Sequence, residues 1–538
     1  MRMRLVWVAV LLVPLCLAQN VHERETFHGL SSPQAVSDRL PGPKYLQDHV
    51  VDGKLRLTLQ DAVTAMLMNN SGVRLRELNI EDSKFALLRA HSPFDPSLQA
   101  GFTAQRSTFP ANSTLQGALV PSTLSQTSLV NYSQTFETGT NILVGFNTSR
   151  QTDNDRNSFY NPSFSSGLNF QITQPLLRNR WLFANQAPLV IARRNLSVSR
   201  STFEAQVSDA ILNLVTQYWG VVQARGNLEV ARKSQDAADA SYKRDKRALE
   251  LGALPPLDIY RSESQLASRR VQTIQSEYQL KLAEDELRYT LGATVDPFLR
   301  ALDLELTEAP AREEELLTID AATALKEALD SRPELEAQRH LLANDDTSIR
   351  LAHNDLLPDL RLSASYQGNG VSGTPGEGSP GIPGGLGDSL NQAFTFGYPT
   401  YGFSLNLNFP IRNRAAQADL GNALVSRRRN LYGERQLREQ ITLEVANAVH
   451  TLEQAKLSLA ASRESLDLSR KNLTAEQRKY ELGSEQVFFV LEAQTEVAQA
   501  EETVLQAEVA YQLAVTAVQH ATGKLLAPYH VQIQDLTR

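Results

Sequence analysis

Two stretches of this 538-residue chain constrain its fold more than any other feature. From about Leu189 to Leu249, and from about Ala415 to Leu482, polar residues interleave with small and medium apolar ones, and no proline interrupts. As helices, some sixty residues at 1.5 Å each give rods about 90 Å long. No ordinary globule packs such rods. The apolar stripe is narrow and rich in alanine: Ile441, Val445, Ala448, Leu452, Ala455 and Leu459 recur at steps of three and four, the spacing of a coiled-coil seam. Each rod breaks at Glu-Leu-Gly, in "ALELGALPPLDIYRSESQLA" (248–267) and "KYELGSEQVFFVLEAQTEVA" (479–498). A return helix of roughly 37 residues then runs to Gly292 or Gly523, and both glycine pairs, 252/483 and 292/523, are 231 positions apart.

The echo extends through the rest of the chain. "LRLTLQDAVTAMLMNNSGVRL" (55–75) resembles "LLTIDAATALKEALDSRPELE" (316–336), and Ala90, His91, Pro96 and Leu98 match Ala352, His353, Pro358 and Leu360 at a constant offset of 262. "QPLLRNR" (174–180) is echoed by "FPIRNR" (409–414). Length alone would suggest several domains. The self-similarity instead predicts two structural repeats (55–300 and 301–523), which leaves a signal peptide (1–18), an N-terminal extension (19–54) and a C-terminal tail (524–538) outside them.

Within each repeat the hydrophobic period changes. Helical spacing ends near prolines, which lack an amide donor and restrict the preceding residue. Strict alternation follows in four segments: Leu98 to Ala104, Leu168 to Ile172, Leu360 to Tyr366 and Tyr401 to Phe409. One apolar and one polar face, over about 9–11 residues, fits a tilted transmembrane strand as well as a half-buried soluble one. Long polar insertions, 107–163 and 367–392, separate the members of each strand pair and favour the membrane reading. The first contains a hairpin, "YSQTFETGTNILVGF" (132–146), turning at Thr138-Gly139. Its sequence leaves open whether it joins the sheet or decorates a loop.

The amino terminus reads as an export signal: Arg2 and Arg4, an apolar run from Leu5 to Ala18, and a small residue for cleavage. Cys16 is the single cysteine; lipidation there is the minority reading because Pro14 and Leu15 precede it. The mature chain then has no disulfide and no thiolate chemistry. The net charge of −7 does not favour nucleic acid. Beyond the signal there is no 18-residue apolar run, so no transmembrane helix is predicted, and the chain is either soluble or spans a membrane as a β-barrel. "GNGVSG" (368–373) fits G-x-G-x-x-G, but proline and more glycine follow where a helix should open, so no dinucleotide site is assigned. The nine histidines form no metal pair at helical spacing. The reading is of a chain without cofactor, metal or enzymatic activity.

Four strands cannot close a barrel in lipid, where unpaired edges are costly and eight strands are the practical minimum. Three chains supply twelve. This ordered set of helix, strand pair, long helix and glycine-broken hairpin, given twice with "LTLQDAVTAMLMNN", "QPLLRNR" and the paired "ELG" turns, resembles the TolC-like outer membrane efflux protein family over about residues 55 to 523. The resemblance implies a mixed α and β membrane protein: a homotrimer with a shared 12-stranded transmembrane β-barrel in outer membrane lipid, joined to an α-helical barrel of long coiled-coil hairpins in the periplasm. It further implies a conduit of a tripartite efflux or type I secretion system, docked on a periplasmic adaptor and an inner membrane transporter. The rival reading is a soluble periplasmic coiled-coil adaptor or scaffold.

The resemblance also places a periplasmic gate at carboxylates shortly after the turn glycine. Here Asp258 follows Gly252 by six residues and Glu492 follows Gly483 by nine, while Phe489 stands where a second gate acid is expected. Phe488 and Phe489 are thus candidates for an apolar ring that excludes water and ions; packing within the coiled coil is the alternative. Leu251, Gly252, Leu482 and Gly483 are the expected adaptor-docking tip. Arg178, Arg180, Arg412 and Arg414 are expected at the periplasmic rim of the strands.

Overall fold

The helical period beginning at Leu59 is set by its cap. Thr58 Oγ1 accepts the amide of Asp61 at 3.1 Å and the Asp61 carboxylate accepts the amide of Thr58 at 3.2 Å, satisfying two otherwise orphaned donors. The same position in the second half, Asp320, accepts the Thr323 amide at 3.0 Å. The computed structural model of the chain describes residues 44–111, 118–251, 259–308, 319–376, 379–482, 484 and 486–531. The expected signal segment with Cys16, and the expected tip and gate residues Gly252, Asp258 and Gly483, lie outside the described residues.

In chain order come strands β1 (Val50–Val51) and β2 (Lys54–Leu57), helices α1 (Leu59–Asn69) and α2 (Ser71–His91), and strands β3 (Ser97–Thr108), β4 (Ser122–Thr135), β5 (Asn141–Asp153) and β6 (Tyr160–Pro175). The first hairpin is α3 (Trp181–Glu250) and α4 (Ile259–Thr290), followed by β7 (Asp303–Leu306). The second half repeats the order: α5 (Ala321–Ser331), α6 (Pro333–Asp355), β8 (Asp359–Pro375), a short α7 (Leu386–Phe394), β9 (Tyr398–Asn408), α8 (Arg414–Glu481) and α9 (Val487–Ala521). Helices α3 and α8 contain 70 and 68 residues, rods of about 100 Å. Sequence reading starts the first rod after Pro188. The helix in fact begins at Trp181 and carries Pro188 inside it. Proline removes one donor from the ladder, and the burial of Ala184, Ala187 and Leu189 around it holds those turns in place.

One apolar cluster sits where the halves meet and a second lies within the second half. One gathers Leu55, Met66, Phe203, Ile211, Tyr218, Leu287 and Leu525 from β2, α1, α3, the end of α4 and the segment after α9. The other joins α5, the start of α6, α8 and α9 through Ala328, Leu335, Ile441, Val445 and Val518. A three-stranded sheet, β1-β2-β7, links the start of the chain to the segment between the halves, with β2 and β7 parallel from Lys54↔Asp303 to Leu57↔Leu306.

The larger sheet corrects the strand count. It has six strands, in the order β3-β4-β5-β6-β8-β9, all antiparallel to their neighbours, rather than four. The hairpin left open by sequence is fully enrolled: β4 pairs with β3 from Ser97↔Ser133 to Thr108↔Ser122, and β5 with β6 from Asn141↔Thr173 to Gln151↔Ser163. The arithmetic behind a shared barrel of twelve strands therefore fails, since three such sheets contribute eighteen. Part of the second insertion is also structured: β8 runs on to Pro375, and α7 follows.

Candidate functional site: two faces of a sheet and two hairpin tips

Register assigns every residue of the large sheet to a face, because directly opposed residues in antiparallel strands point the same way. One face carries Leu98, Ala100 and Phe102 of β3, Val130 and Tyr132 of β4, Ile142, Val144 and Phe146 of β5, Leu168, Phe170 and Ile172 of β6, Leu362, Ala364 and Tyr366 of β8, and Tyr401, Phe403, Leu405 and Leu407 of β9. These form a continuous belt across all six strands. Many are bare: Leu98 is 67% exposed and Phe403 83%. The opposite face carries Asn131, Asn147, Asn169, Gln171, Gln367, Asn369, Thr400 and Asn406, with Gln367 Nε2 donating to Asn369 Oδ1 at 2.9 Å and Asn369 Nδ2 to Thr400 Oγ1 at 2.9 Å. An apolar belt backed by an amide-lined surface is the pattern of a sheet with lipid on one side and water on the other.

The sheet's two edges are open. β3 and β9 run in opposite directions and are exposed along their whole length. An even number of strands lets β9 of one copy pair antiparallel with β3 of the next, which removes every edge. Among the described residues no helix is long and apolar enough to cross a membrane.

The junctions from strand to rod are made by asparagine more than by arginine. Asn179 receives the Asn354 side-chain amide at 2.7 Å and donates its backbone amide back to Asn354 Oδ1 at 3.2 Å. Its counterpart Asn413 donates to Asp355 O at 3.3 Å and accepts the Ala416 amide at 3.3 Å. Arg178 pairs with Asp359 at 3.6 Å, and the Arg180 guanidinium lies 5.9 Å from the Trp181 ring centre.

At the far ends of the rods, Leu251 and Leu482 end their helices with nearly the same backbone, φ −84° and −81°, and donate to Arg247 O and Arg478 O at 3.1 Å in both cases. They are 83% and 78% exposed. Past the second turn, Val487, Val490 and Leu491 are buried while Phe488, Phe489 and Glu492 face away. The two phenyl rings pack edge to face with centroids 5.3 Å apart. Thus the two phenylalanines and Glu492 occupy one outward surface, and Phe488 and Phe489 are not core of their own hairpin.

Sequence reading missed the bonds that tie the two tips together. The Arg244 guanidinium sits 4.8 Å from the Tyr480 ring centre, across the hairpins. Arg269 and Gln265 both donate to Thr495 Oγ1, at 2.7 and 3.3 Å, and Gln272 donates to Glu502 at 3.3 Å. Asp245 is wholly buried and is partnered by the Ser262 hydroxyl and by Arg244 Nε at 3.3 Å. Partners separated by more than 200 residues leave no local signal. The buried aspartate is the exception, because an acid on the seam of a rod has to find a donor.

A charged knot pins the base of the second hairpin. Arg332, only 8% exposed, grips Glu444 with two guanidinium nitrogens at 3.1 and 2.8 Å and also donates to His520 O at 3.2 Å. His520 bridges Glu444 and, on the first rod, Asp209 at 3.2 and 2.9 Å. Burial would lower the His520 pKa, but its hydrogen bonds to Asp209 and Glu444 push it up to about 9. Burial would raise Glu444; hydrogen bonds from His520 and Arg332 bring it down to about 2. Among the described residues no group of acids, histidines and cysteines is arranged to hold a metal.

Residues 141–293 and 324–524 match the family model for outer membrane efflux proteins. Among relatives, the pyoverdine export outer membrane protein OpmQ of Pseudomonas aeruginosa is 25% identical over 373 residues, 67% of this chain and 70% of that protein. The probable efflux pump outer membrane protein TtgC of Pseudomonas putida is 22% identical over 270 residues, so the chain spans about half the length of that relative. Among solved structures, the fold is similar to the outer membrane channel OprN, with a TM-score of 0.62 at 16% identity over 87% of this chain and 90% of that one. It is also similar to the CmeC outer membrane channel of Campylobacter jejuni, with a TM-score of 0.63 at 15% identity over 92% and 91% of the two chains.

Proposed function

The chain belongs to the outer membrane efflux protein family, and on that premise we propose that three copies form a passive conduit from the periplasm, or from a pump, to the exterior. The observation that carries this reading is the six-stranded sheet with an apolar belt, an amide-lined reverse face and two open edges of opposite direction, mounted on rods of 70 and 68 residues. Trimerisation, which the family resemblance implies, closes the edges into an 18-stranded barrel, a size at which porins keep an aqueous channel. The amide face lines that channel and the belt meets outer membrane lipid. The rods continue it through the periplasm as a helical barrel. The conduit performs no chemistry of its own.

In this reading the signal (1–18) exports the chain, and the two repeats (55–300, 301–523) each supply one hairpin, so six tips ring the periplasmic mouth. Leu251, Gly252, Leu482 and Gly483 meet a periplasmic adaptor that couples the conduit to an inner membrane transporter. Asp258, Phe488, Phe489 and Glu492 constrict the mouth when it is closed; the outward, edge-to-face phenylalanine pair supports an apolar gate at the second turn.

The test is reconstitution. Membrane extraction only by detergent, a trimer that dissociates on heating, and discrete conductance in planar bilayers are the expected results. A monomer released without detergent would replace this reading with that of a soluble adaptor.

A further inference from the structure

The motif "GNGVSG", which binds no nucleotide, has a structural use. Gly368 and Gly370 lie on the belt side of β8, paired with Leu168 and Ser166 of β6. Helix α7 lies directly over them: a Cβ on Gly368 would stand 2.2 Å from Ala393 O, and one on Gly370 only 1.9 Å from Ser389 O. No other residue type leaves room for the helix backbone. Ser389 and Ala393, both fully buried, form the side of α7 against the sheet, and Ser389 Oγ is 2.9 Å from Ser166 Oγ. Gln392 Oε1 accepts the backbone amide of Val371 at 3.0 Å, at a point of β8 beyond Asn369↔Tyr398, where β9 no longer reaches. Aromatic contacts fix the end of the helix above the belt: Phe394 stacks on Phe146 at 5.7 Å, and Phe396 lies 5.2 Å from Tyr366 and 6.3 Å from Phe170.

The helix therefore sits outside the strands, on the face that the conduit reading turns to lipid, at the end of the belt away from the rods. Around its circumference three arcs follow one another at about 100° per residue. Ser389 and Ala393 meet the sheet; Leu386, Leu390 and Phe394 form the next arc; Asp388 and Asn391 complete the turn. The apolar arc is uncovered, with Leu386 42% and Phe394 46% exposed, and Ile382 just before it is 81% exposed. It is continuous with the belt through Phe394 and Phe146. From Gly376 to Gly397 there is no lysine or arginine, so attraction to lipid phosphate is not what this segment offers.

Resting on the conduit reading, we infer that α7 is an interfacial collar: a short amphipathic helix, seated on Gly368 and Gly370, that beds Leu386, Leu390 and Phe394 among the acyl chains of the outer leaflet at the rim of the barrel. Three copies around a trimer hold the level at which the barrel sits and close the overhanging edge of β8.

Site-directed spin labelling tests this directly, because Cys16 is the chain's single cysteine and Cys16→Ser gives a cysteine-free background. Labels at Leu386→Cys, Phe394→Cys and Asn391→Cys are read in proteoliposomes by collision with oxygen, which concentrates in acyl chains, and with a water-soluble nickel chelate. A label at Leu405→Cys, on the belt, is the control for the barrel. The expected result is a severalfold higher oxygen-to-nickel ratio at 386, 394 and 405 than at 391. Nickel access at 386 and 394 equal to that at 391 would overturn the collar by placing the helix in water. Shielding of 386 and 394 from both reagents would overturn it by placing a neighbouring protomer there. A water-accessible label at 405 would instead overturn the conduit reading itself. Gly370→Val, combined with the 394 label, is expected to raise label mobility and abolish the contrast with 391 while leaving 405 unchanged; an unaltered 394 signal counts against the seat.

Discussion

The two halves of the chain close one joint with different chemistry. At 262 positions apart, Asn70 and Arg332 stand between the first two helices of each half, and both reach the end of the returning helix: Asn70 Nδ2 donates to Thr290 O at 2.8 Å and Arg332 to His520 O at 3.2 Å. Gly292 and Gly523, both at φ +73°, then fold against the residue before, with the nearest backbone oxygens belonging to Asn69 and Ser331. In the first half the joint is neutral. Asn70 also caps α2 by accepting the amides of Gly72 and Val73 at 2.8 and 3.2 Å. In the second, the same place holds a buried guanidinium whose charge is answered by Glu334 and Glu444, while the neighbouring His520 is balanced by Glu444 and by Asp209 of the first rod. The geometry of the duplicated joint is thus independent of how its polar groups are satisfied, while its response to pH and to mutation is not.

That contrast can be broken in several places. Arg332→Ala leaves Glu444 without its bidentate partner in a half-buried site and is expected to cost about 3–5 kcal/mol. Asn70→Ala, which removes a cap and one neutral hydrogen bond, should cost only about 1–2 kcal/mol. Chemical denaturation of the detergent-solubilised protein, followed by circular dichroism, measures both; equal losses would show that the charged knot adds nothing to the joint.

The second expectation concerns pH. His520 carries a pKa raised from 6.5 to about 9, so its contribution is complete below pH 6.5 and is lost as pH rises through 9, a loss of about 1–3 kcal/mol. Glu444 is lowered from 4.5 to about 2, so its contribution is present above pH 4.5 and is lost as pH falls toward 2. A His520→Gln variant should lose the alkaline slope between pH 6.5 and 9 and keep only the part of the acid slope that Arg332 supplies to Glu444. An unchanged alkaline slope would separate the knot from the pH dependence.

Smaller effects are expected at the paired glycines. Both would force alanine into the left-handed region, but a Cβ at 292 would come within 2.8 Å of Asn69 O, against 3.2 Å from Ser331 O at 523. Gly292→Ala should cost about 2 kcal/mol and Gly523→Ala about 1 kcal/mol, read from the same denaturation curves. The least effect on stability belongs to the tips. Phe489→Ala, at an exposed ring, should leave the denaturation midpoint in place yet raise single-channel conductance in planar bilayers; unchanged conductance would sink the apolar gate.

Much of this molecule is legible in its letters because duplication and period are local. The rods follow from a seam repeating every three to four residues, and Gly292 and Gly523, spaced 231 apart like the two turn glycines, marked the ends of both return helices. The hairpin of β4 and β5 escaped assignment for a physical reason. Serine and threonine populate both of its faces, Leu129 sits on the polar side, and only pairing with β3 and β6 tells which face is which. Helix α7 is similarly opaque, since nine residues between glycine-rich turns are too few to form a helix alone, and its stability comes from the sheet beneath it.

What the sequence determined by itself is therefore the repeated unit: helix pair, strands and broken rod, each encoded by spacing that a single element can express. The tertiary structure decided how many strands the sheet holds, which side of it a helix covers, and how Arg332, Glu444, His520 and Asp209 come together. Those depend on residues up to 311 positions apart being brought within hydrogen-bonding distance, and no local period records a contact that only the closed fold creates.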